Sequence, residues 1–522
     1  MVWQSKHLSY AQIFLITAPA FMLYGYNQAG LSALLTLPDV VRLFPQIDTI
    51  HTSGADHAHK STIQGLVNGC LQLGALTGAL SCSVIGDRLG RRKTIFLGGL
   101  LAGIGQILQC TAFYLPQFII GRFVLGLGVG QVNVIVPVWQ SECSSAHRRG
   151  RQVITAGIFI CVGFVLTSWI NFGFKFVSSP PLQWRIPLAI PIICSVIVCC
   201  SIFTLPESPR WLVQKQRTAE ATETLAWLNG LENDNEFVLN EISRIESALA
   251  TSSATRISLR DIFRGKDEGR YALRFGLCMA IKTMQQLVGG GVVSNYTTII
   301  FEENLHLTGS TPSIVAAVSL TWKFICSFMA YAAVDRLGRR MIFLISGTGM
   351  SLCMIIMAIA TSFPASNHQA SIVAAVFIFV FNFCYPIGFL GGNFLYCTEI
   401  APPQLRAVMS SFSTANHWMW NFVFTMVTPV ALSTIGWKYY IVFACTCACI
   451  PLTVIPFFPE TVNRDLERID LVFREASTVW DIVPMAREIP QHHYSGLEDD
   501  IVSEKVIEAE GYVTWSGWGL LS

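Results

Sequence analysis

Apolar residues gather in twelve long stretches separated by short polar breaks. They lie near residues 11–34, 62–85, 94–113, 117–141, 152–172 and 184–205, and then near 272–300, 312–334, 341–362, 371–397, 405–430 and 436–458. Each is long enough to cross about 30 Å of hydrocarbon as a helix. Lipid offers a backbone no hydrogen-bond partners, so each stretch predicts a spanning helix rather than a loop or open strand. The polar breaks repeat as well. Gly86-Asp87-Arg88-Leu89-Gly90-Arg91-Arg92 follows the second stretch, and Val334-Asp335-Arg336-Leu337-Gly338-Arg339-Arg340 follows the eighth. Glu142 precedes Arg149 by seven residues, as Glu399 precedes Arg406, and Pro206-Glu207-Ser208 is echoed by Pro459-Glu460-Thr461. Three charged landmarks in the same order twice predict an all-α membrane protein of twelve transmembrane helices, built as two six-helix pseudo-symmetric halves.

Composition agrees with the bilayer as solvent. Of 522 residues, 52% are hydrophobic and 13% charged, with mean hydropathy +0.50, against about 25% charged in soluble domains. The net charge of +2 says little. Most of the sixteen cysteines lie in apolar runs, as at Cys199-Cys200, and read as small buried hydrophobes rather than cross-links. The N-terminal run has no convincing cleavage site and is expected to be retained as the first span.

The sequence divides into a cytoplasmic N-terminus (1–10), an N-terminal half (11–205), a linker (206–270), a C-terminal half (271–460) and a tail (461–522). Val238, Ile242, Ile245 and Leu249 recur at helical spacing among charges, so the linker is expected to hold amphipathic helices. Arginine and lysine crowd alternate loops: Arg88, Arg91, Arg92 and Lys93, then Arg148, Arg149 and Arg151, then Arg336, Arg339 and Arg340. Loops 301–311 and 363–370 have none. The basic set and both termini are therefore expected in the cytoplasm.

On these motifs the chain resembles the sugar porter family of the major facilitator superfamily, in the form common in fungi, over about residues 10–475. The resemblance rests on both Asp-Arg-Leu-Gly-Arg-Arg turns, Gly121-Arg122-Phe123 and Pro137-Val138-Trp139-Gln140-Ser141-Glu142. It rests also on Pro206-Glu207-Ser208-Pro209-Arg210-Trp211-Leu212, Gln285-Gln286-Leu287 and Pro459-Glu460-Thr461. It implies that Asp87, Arg91, Arg92, Glu142 and Arg149 pair when the cytoplasmic side is closed, with Asp335, Arg339, Arg340, Glu399 and Arg406 as a second set. Glu207, Arg210 and Glu460 belong to the same cytoplasmic gate. The plainer reading, that these arginines only obey the positive-inside rule, accounts for their side but not for the placed acids.

Polar residues at membrane depth are costly and usually line a pathway. Gln285 and Gln286 offer adjacent amides suited to hydroxyl groups, and the resemblance assigns them, with Asn295, Trp418 and Asn421, to substrate. Each alone could instead be an interhelical hydrogen bond or a packing residue. Departures from the family pattern are Gly157 for a glutamine, Gly291 for an asparagine and Phe394 for a tryptophan, which imply a roomier cavity. The sharpest is Lys323, near the middle of the eighth span where relatives carry asparagine. A mid-span lysine costs roughly 2.5–3.5 kcal/mol on insertion scales. It is either held by backbone carbonyls, or as a neutral amine, or it attracts an anionic substrate such as a sugar acid, with Lys282 as a second candidate.

Asn27 stands where proton-coupled relatives have an aspartate facing the span-four arginine, here Arg122. An amide does not titrate, so facilitated diffusion is the simpler expectation. The Asn295-Tyr296-Thr297 sequon lies in a span and is expected to be unused. His51, His57 and His59 lack a completing ligand set, and no metal or other cofactor is expected. No nucleophile–base set emerges, so the chain is not expected to be an enzyme. The expectation is a monomeric multi-pass carrier of a sugar, polyol or sugar acid at the plasma membrane, with lipid as its surroundings and no nucleic-acid partner. The rivals are an efflux carrier for a fungal secondary metabolite and a non-transporting sugar sensor.

Overall fold

The computed structural model describes residues 5–488 apart from 36, 49–51, 53, 145, 254–269, 296–310, 365–366, 403–404, 463 and 465. Within described helices, the side chains of 5–6, 32–33, 54–55, 57–58, 146–152, 248–253, 295, 335, 429, 433, 466–468 and 488 are likewise outside the description. All regular structure among the described residues is helical. Every predicted span meets one helix or a run of two or more helical segments. The regular ones are Gly54–Leu89, Arg91–Cys110, Leu115–Glu142, Ala146–Phe174, Thr311–Leu337, Arg339–Ser362, Arg406–Ile435 and Lys438–Phe457. The sixth span is Pro180–Ala189 and Ile192–Ser201, parted at Pro191.

Three spans are irregular near the middle. The first runs Ser5–Gln12, a π-turn at Ile13–Thr17, then Ala18–Ala29. The seventh is Tyr271–Leu287, breaks at Gly289 (φ 77°), and resumes as Gly290–Asn295. The tenth runs His368–Tyr385, a π-turn at Pro386–Leu390, then Gly392–Ile400. Such interruptions leave backbone groups free of the regular ladder and cluster at functional sites.

Ten helices among the described residues are long and apolar enough to cross a membrane by length and composition. The seventh and eleventh spans are the others, for reasons the sequence explains. The seventh is cut short at its glycines. The eleventh is thirty residues long but carries Ser410, Ser411, Ser413, Thr414, Asn416, His417, Asn421, Thr425 and Thr428, all buried. Polar side chains turned inward from a spanning helix face protein rather than lipid.

Glycine sets how closely the spans pack. A Cβ on Gly126 or Gly130 would lie 2.1–2.2 Å from backbone oxygens of the second span, and one on Gly128 2.3 Å from Gly98 O of the third. The fourth span is thus clamped between the second and third by backbone contact. In the linker, Pro209–Gln214, Thr218–Asn229 and Glu236–Ser253 join through Trp211, Leu212, Val213, Ala221, Ile242 and Ile245. Val238 is buried too, while the Leu249 side chain is outside the described set. In the tail, Leu466–Glu475 and Ile482–Glu488 are helical, and 489–522 lies outside the described residues.

Candidate functional site

The doubled turns come first, since they close one end of the bundle. Gly90 and Gly338 start the third and ninth spans at φ 88°, ψ 175° and φ 81°, ψ 163°, a region essentially reserved for glycine. The chain leaves each turn with its first helical N–H groups exposed. In the first half Glu207 fills that place: its carboxylate accepts from Arg91 N (3.1 Å), Arg92 N (3.2 Å) and Ser208 N (3.0 Å). In the second, Glu460 accepts from Arg339 N (2.9 Å), Arg340 N (3.0 Å) and Thr461 N (2.9 Å). An anion at a helix N-terminus meets both the free N–H groups and the helix dipole. Burial pushes the Glu207 carboxyl up, opposed by those N–H groups and by Arg91. The anchors are doubled too: Trp139 Nε1 donates to Pro206 O (3.0 Å), and Tyr396 Oη donates to Pro459 O (3.2 Å).

Side chains of the turns pair across each half. Arg91 donates to both Glu142 oxygens (2.9 and 3.0 Å) and to Asp87 (2.9 Å). Arg339 donates to both Glu399 oxygens (3.2 and 2.9 Å), and Thr461 Oγ1 adds 2.7 Å to Glu399. These are buried bidentate pairs, the strong geometry for arginine and carboxylate. Arg92 and Arg340 instead use their guanidinium groups on the carbonyls of Phe203 and Ile455. Arg210 sits in the first turn of Pro209–Gln214.

Arg406, expected in the second set, donates through Nε to Thr398 O of its own half (3.1 Å), and its guanidinium also lies 4.0 Å from Glu142 of the first. The cause is position: Arg406 opens the eleventh span at the seam between the halves, so its side chain spans them. The side chains of Arg149 and Asp335 lie outside the described residues.

The centre is built by spans one, five, seven, eight, ten and eleven. Gln286 Nε2 lies 2.9 Å from His417 Nδ1, and Tyr24 Oη lies 3.3 Å from His417 Nε2. This chain of contacts joins the two halves. Trp418 is fully buried with its ring edge-on to Tyr24 at 5.2 Å. Gln285 faces the Tyr385 hydroxyl. Gln285 Oε1, Trp418 Nε1, Asn421 Nδ2 and Lys282 Nζ are among the polar atoms here with no hydrogen-bond partner among the described residues. Unpaired polar groups at such depth are costly unless an occupant completes them. Asn295 ends the second segment of span seven, and its side chain is outside the described set.

Lys323 is 1% exposed. Its ammonium donates to Ser294 Oγ (2.6 Å) and lies 4.3 Å from the Tyr385 ring centroid and 5.3 Å from that of Phe164. A hydroxyl and two aromatic faces thus hold it, rather than the backbone carbonyls considered from sequence. Lys282, equally buried, has its Nζ 3.4 Å over the ring of Phe394, which packs edge-on against Phe21. Asn27 donates to Leu23 O (2.9 Å), while Arg122 donates to Asn68 O (3.4 Å), so these two are not hydrogen-bonded to each other.

The halves meet on both sides of this centre. Toward the arginine turns, a Cβ on Gly157 would lie 3.1 Å from backbone atoms of Leu390 and Gly391. Gly157 therefore lets spans five and ten touch, and does not enlarge a cavity as the sequence suggested. An added Cβ on Gly291 would stand in van der Waals contact with Gln286 Oε1, at 3.4 Å. Toward the opposite end, Trp169 Nε1 donates to Thr321 Oγ1 (3.1 Å) and the Gln72 amide lies 3.4 Å from Asn421 Oδ1. Gly69 leaves room for the Phe422 ring.

Sequence reasoning missed His417, Tyr24, Tyr385 and Ser294. His417, Asn421 and Thr425 stand at intervals of four on span eleven, a polar stripe the sequence did display. Ser294 and Tyr385 carried no signal, because each acts only through a lysine or glutamine from another span.

Comparison with known proteins bears on this geometry. A family profile described as "Sugar (and other) transporter" matches residues 13–473. Over 488 residues the chain is 31% identical to the sugar transporter STL1 of Saccharomyces cerevisiae, covering 92% of this chain and 84% of that one. The MFS-type transporter oryC of Aspergillus oryzae is 31% identical over 486 residues, 92% of this chain and 88% of the relative. Among solved structures, that of the proton:xylose symporter XylE bound to 6-bromo-6-deoxy-D-glucose superposes with TM-score 0.79. It is 20% identical, over 90% of this chain and all of that one. A likeness at that identity speaks to the fold.

Proposed function

Since the chain belongs to the sugar transporter family of the major facilitator superfamily, we propose that it carries a sugar, polyol or sugar acid across the plasma membrane by alternating access. The carrying observation is the Gln286–His417–Tyr24 chain, which joins the two halves near further polar atoms that have no partner among the described residues. Gln285, Gln286, Trp418 and Asn421 bind the solute, the amides taking hydroxyl groups and the indole offering a flat apolar face. Phe394 and Lys323 border it. Both termini and the arginine turns lie in the cytoplasm.

Access alternates by rocking one half against the other. Opening toward the cytoplasm separates Arg406 from Glu142 and spans five from ten at Gly157 and Gly391. Opening outward separates Trp169 from Thr321 and Gln72 from Asn421. The bidentate pairs within each half, with the capped turns, keep each half rigid while the seam parts. A solute that bridges both halves favours the state in which they are closed around it, which is the differential affinity that a population shift requires.

The proposed mode is facilitated diffusion, because Asn27 cannot exchange a proton with Arg122. The test is uptake of hexoses, pentoses, polyols and uronates by a carrier-deficient yeast expressing the chain, with and without a protonophore. Saturable uptake of at least one class, insensitive to the protonophore, is expected. Uptake of none moves the reading to efflux or sensing, and a solute-induced pH change in vesicles overturns the uniport mode.

A further inference from the structure

The twelve apolar stretches contain no aspartate or glutamate, yet Lys282 and Lys323 both lie within them. Each ammonium is buried to about one part in a hundred of exposure. Lys323 has a serine hydroxyl and two aromatic faces. Lys282 has the Phe394 ring and no hydrogen-bond partner among the described residues. Neutral groups of this kind orient a cation but do not balance its charge in a medium of low dielectric constant. Among the described residues the centre is therefore supplied with cations and with hydroxyl-binding amides, and lacks an anion.

The two lysines bracket the amide pair. Lys282 precedes Gln285 by about one helical turn, toward the arginine turns. Lys323 meets Ser294, beyond the break at Gly289 and toward the other end. Lys282 and Ser294 stand on the two segments of span seven, either side of the break at Gly289, so the two lysines approach the amide pair from different ends. Gln285, Trp418 and Asn421 each carry a polar atom without a hydrogen-bond partner among the described residues.

We propose that the cargo is a carboxylate-bearing polyhydroxy compound, a uronate or aldonate, whose charge meets Lys323 on the outer side of Gln285 and Gln286 and Lys282 on the inner side. This rests on the transport reading above and names its substrate class. The hydroxyl groups occupy the amides while the carboxylate takes the place of the missing acid, first at one lysine and then at the other. Uniport of such an anion moves net charge, whereas uniport of a neutral sugar does not.

The experiment uses the purified full-length chain in liposomes with radiolabelled D-galacturonate, D-gluconate, D-glucose and glycerol. Expected for the wild type is saturable uptake of a carboxylate, accelerated by an inside-positive potassium diffusion potential. Lys323→Asn should lower carboxylate uptake at least tenfold relative to any neutral solute, and Lys323→Arg should retain it. Lys282→Gln provides an independent second variant. The proposal is overturned if a neutral solute moves while both carboxylates neither move nor compete. An unchanged carboxylate-to-neutral ratio in Lys323→Asn and Lys282→Gln overturns it as well. If none of the four solutes moves, the transport reading falls with it. Because the wild-type selectivity and its voltage response need no variant, a misfolded mutant does not rescue the idea.

Discussion

Gly338→Ala is the substitution whose cost the structure defines best. The backbone there sits at φ 81°, ψ 163°, a region where a residue with a Cβ costs about 1–3 kcal/mol. The added Cβ would also lie 2.5 Å from Glu460 Oε2. That oxygen must withdraw, and with it the carboxylate leaves the N–H groups of Arg339 and Arg340. An anion at a helix N-terminus is worth about 0.3–1 kcal/mol, and up to about 2 when partly buried. The sum is about 3 kcal/mol. At about 2–4 °C per kcal/mol for a unit the size of one half, Tm should fall by about 6–12 °C. Scanning calorimetry or thiol-dye melting of the detergent-solubilised protein measures it, at one fixed heating rate. Gly276→Ala is the control: it lies inside Tyr271–Leu287 and an added Cβ there meets nothing within 4 Å, so its Tm should hold or rise slightly. Gly90→Ala, whose Cβ would lie 2.9 Å from Glu207 Oε2, should resemble Gly338→Ala. The two should add within about 0.5 kcal/mol, since they sit in different halves. A Gly338→Ala protein melting within a degree or two of Gly276→Ala refutes the carboxylate-cap argument.

Three further outcomes follow from the geometry. Arg406→Gln removes the cation that reaches Glu142 across the seam, so maleimide labelling of buried Cys143, followed by mass spectrometry, should quicken several-fold; equal labelling counts against the seam contact. His417→Ala and Gln286→Ala each strip a buried hydrogen-bonding partner worth about 1–3 kcal/mol, and should each weaken the half-saturating solute concentration by about tenfold, read by uptake kinetics; unaltered kinetics in both would remove the bridge from the site. Glu207 is raised by burial, so its stabilising contribution is complete below the unfolded value of about 4.3 and is lost as pH rises through the higher folded value. Wild type should therefore lose Tm relative to Glu207→Gln between pH 4.5 and 7.5, and parallel curves would contradict that sign.

Much of this was legible in the chain because membrane solvation is a coarse and demanding filter. Twelve apolar stretches and two copies of one charged turn were sufficient for the fold, since lipid admits only helices there. The pairing of Glu142 with Arg91, and of Glu399 with Arg339, was also anticipated in kind. What the sequence could not supply is the third dimension. Glu207 and Glu460 lie well over a hundred residues from the turns they cap, so the cap appears only once the sixth and twelfth spans bring them back. The motif around Arg406 is local to its own half, where Nε meets Thr398 O, and only the structure shows its guanidinium also reaching toward Glu142 across the seam. Gly157 read as empty space, and proved to be where two backbones touch. Lys323 was visible as an anomaly, but Ser294, Tyr385 and Phe164 came from three other spans and gave no sign of converging on it.

The central claim is that solute crosses between the halves at the Gln285–Gln286 level without a coupled proton. Counterflow in liposomes containing the purified chain tests it most directly, with unlabelled solute inside, labelled solute outside and the pH inside followed by a trapped dye. The account predicts transient accumulation of label against its gradient, moved to about tenfold higher solute by Gln286→Ala, with no change in internal pH. No accumulation of any sugar, polyol or sugar acid, or accumulation accompanied by a proton flux, would contradict it.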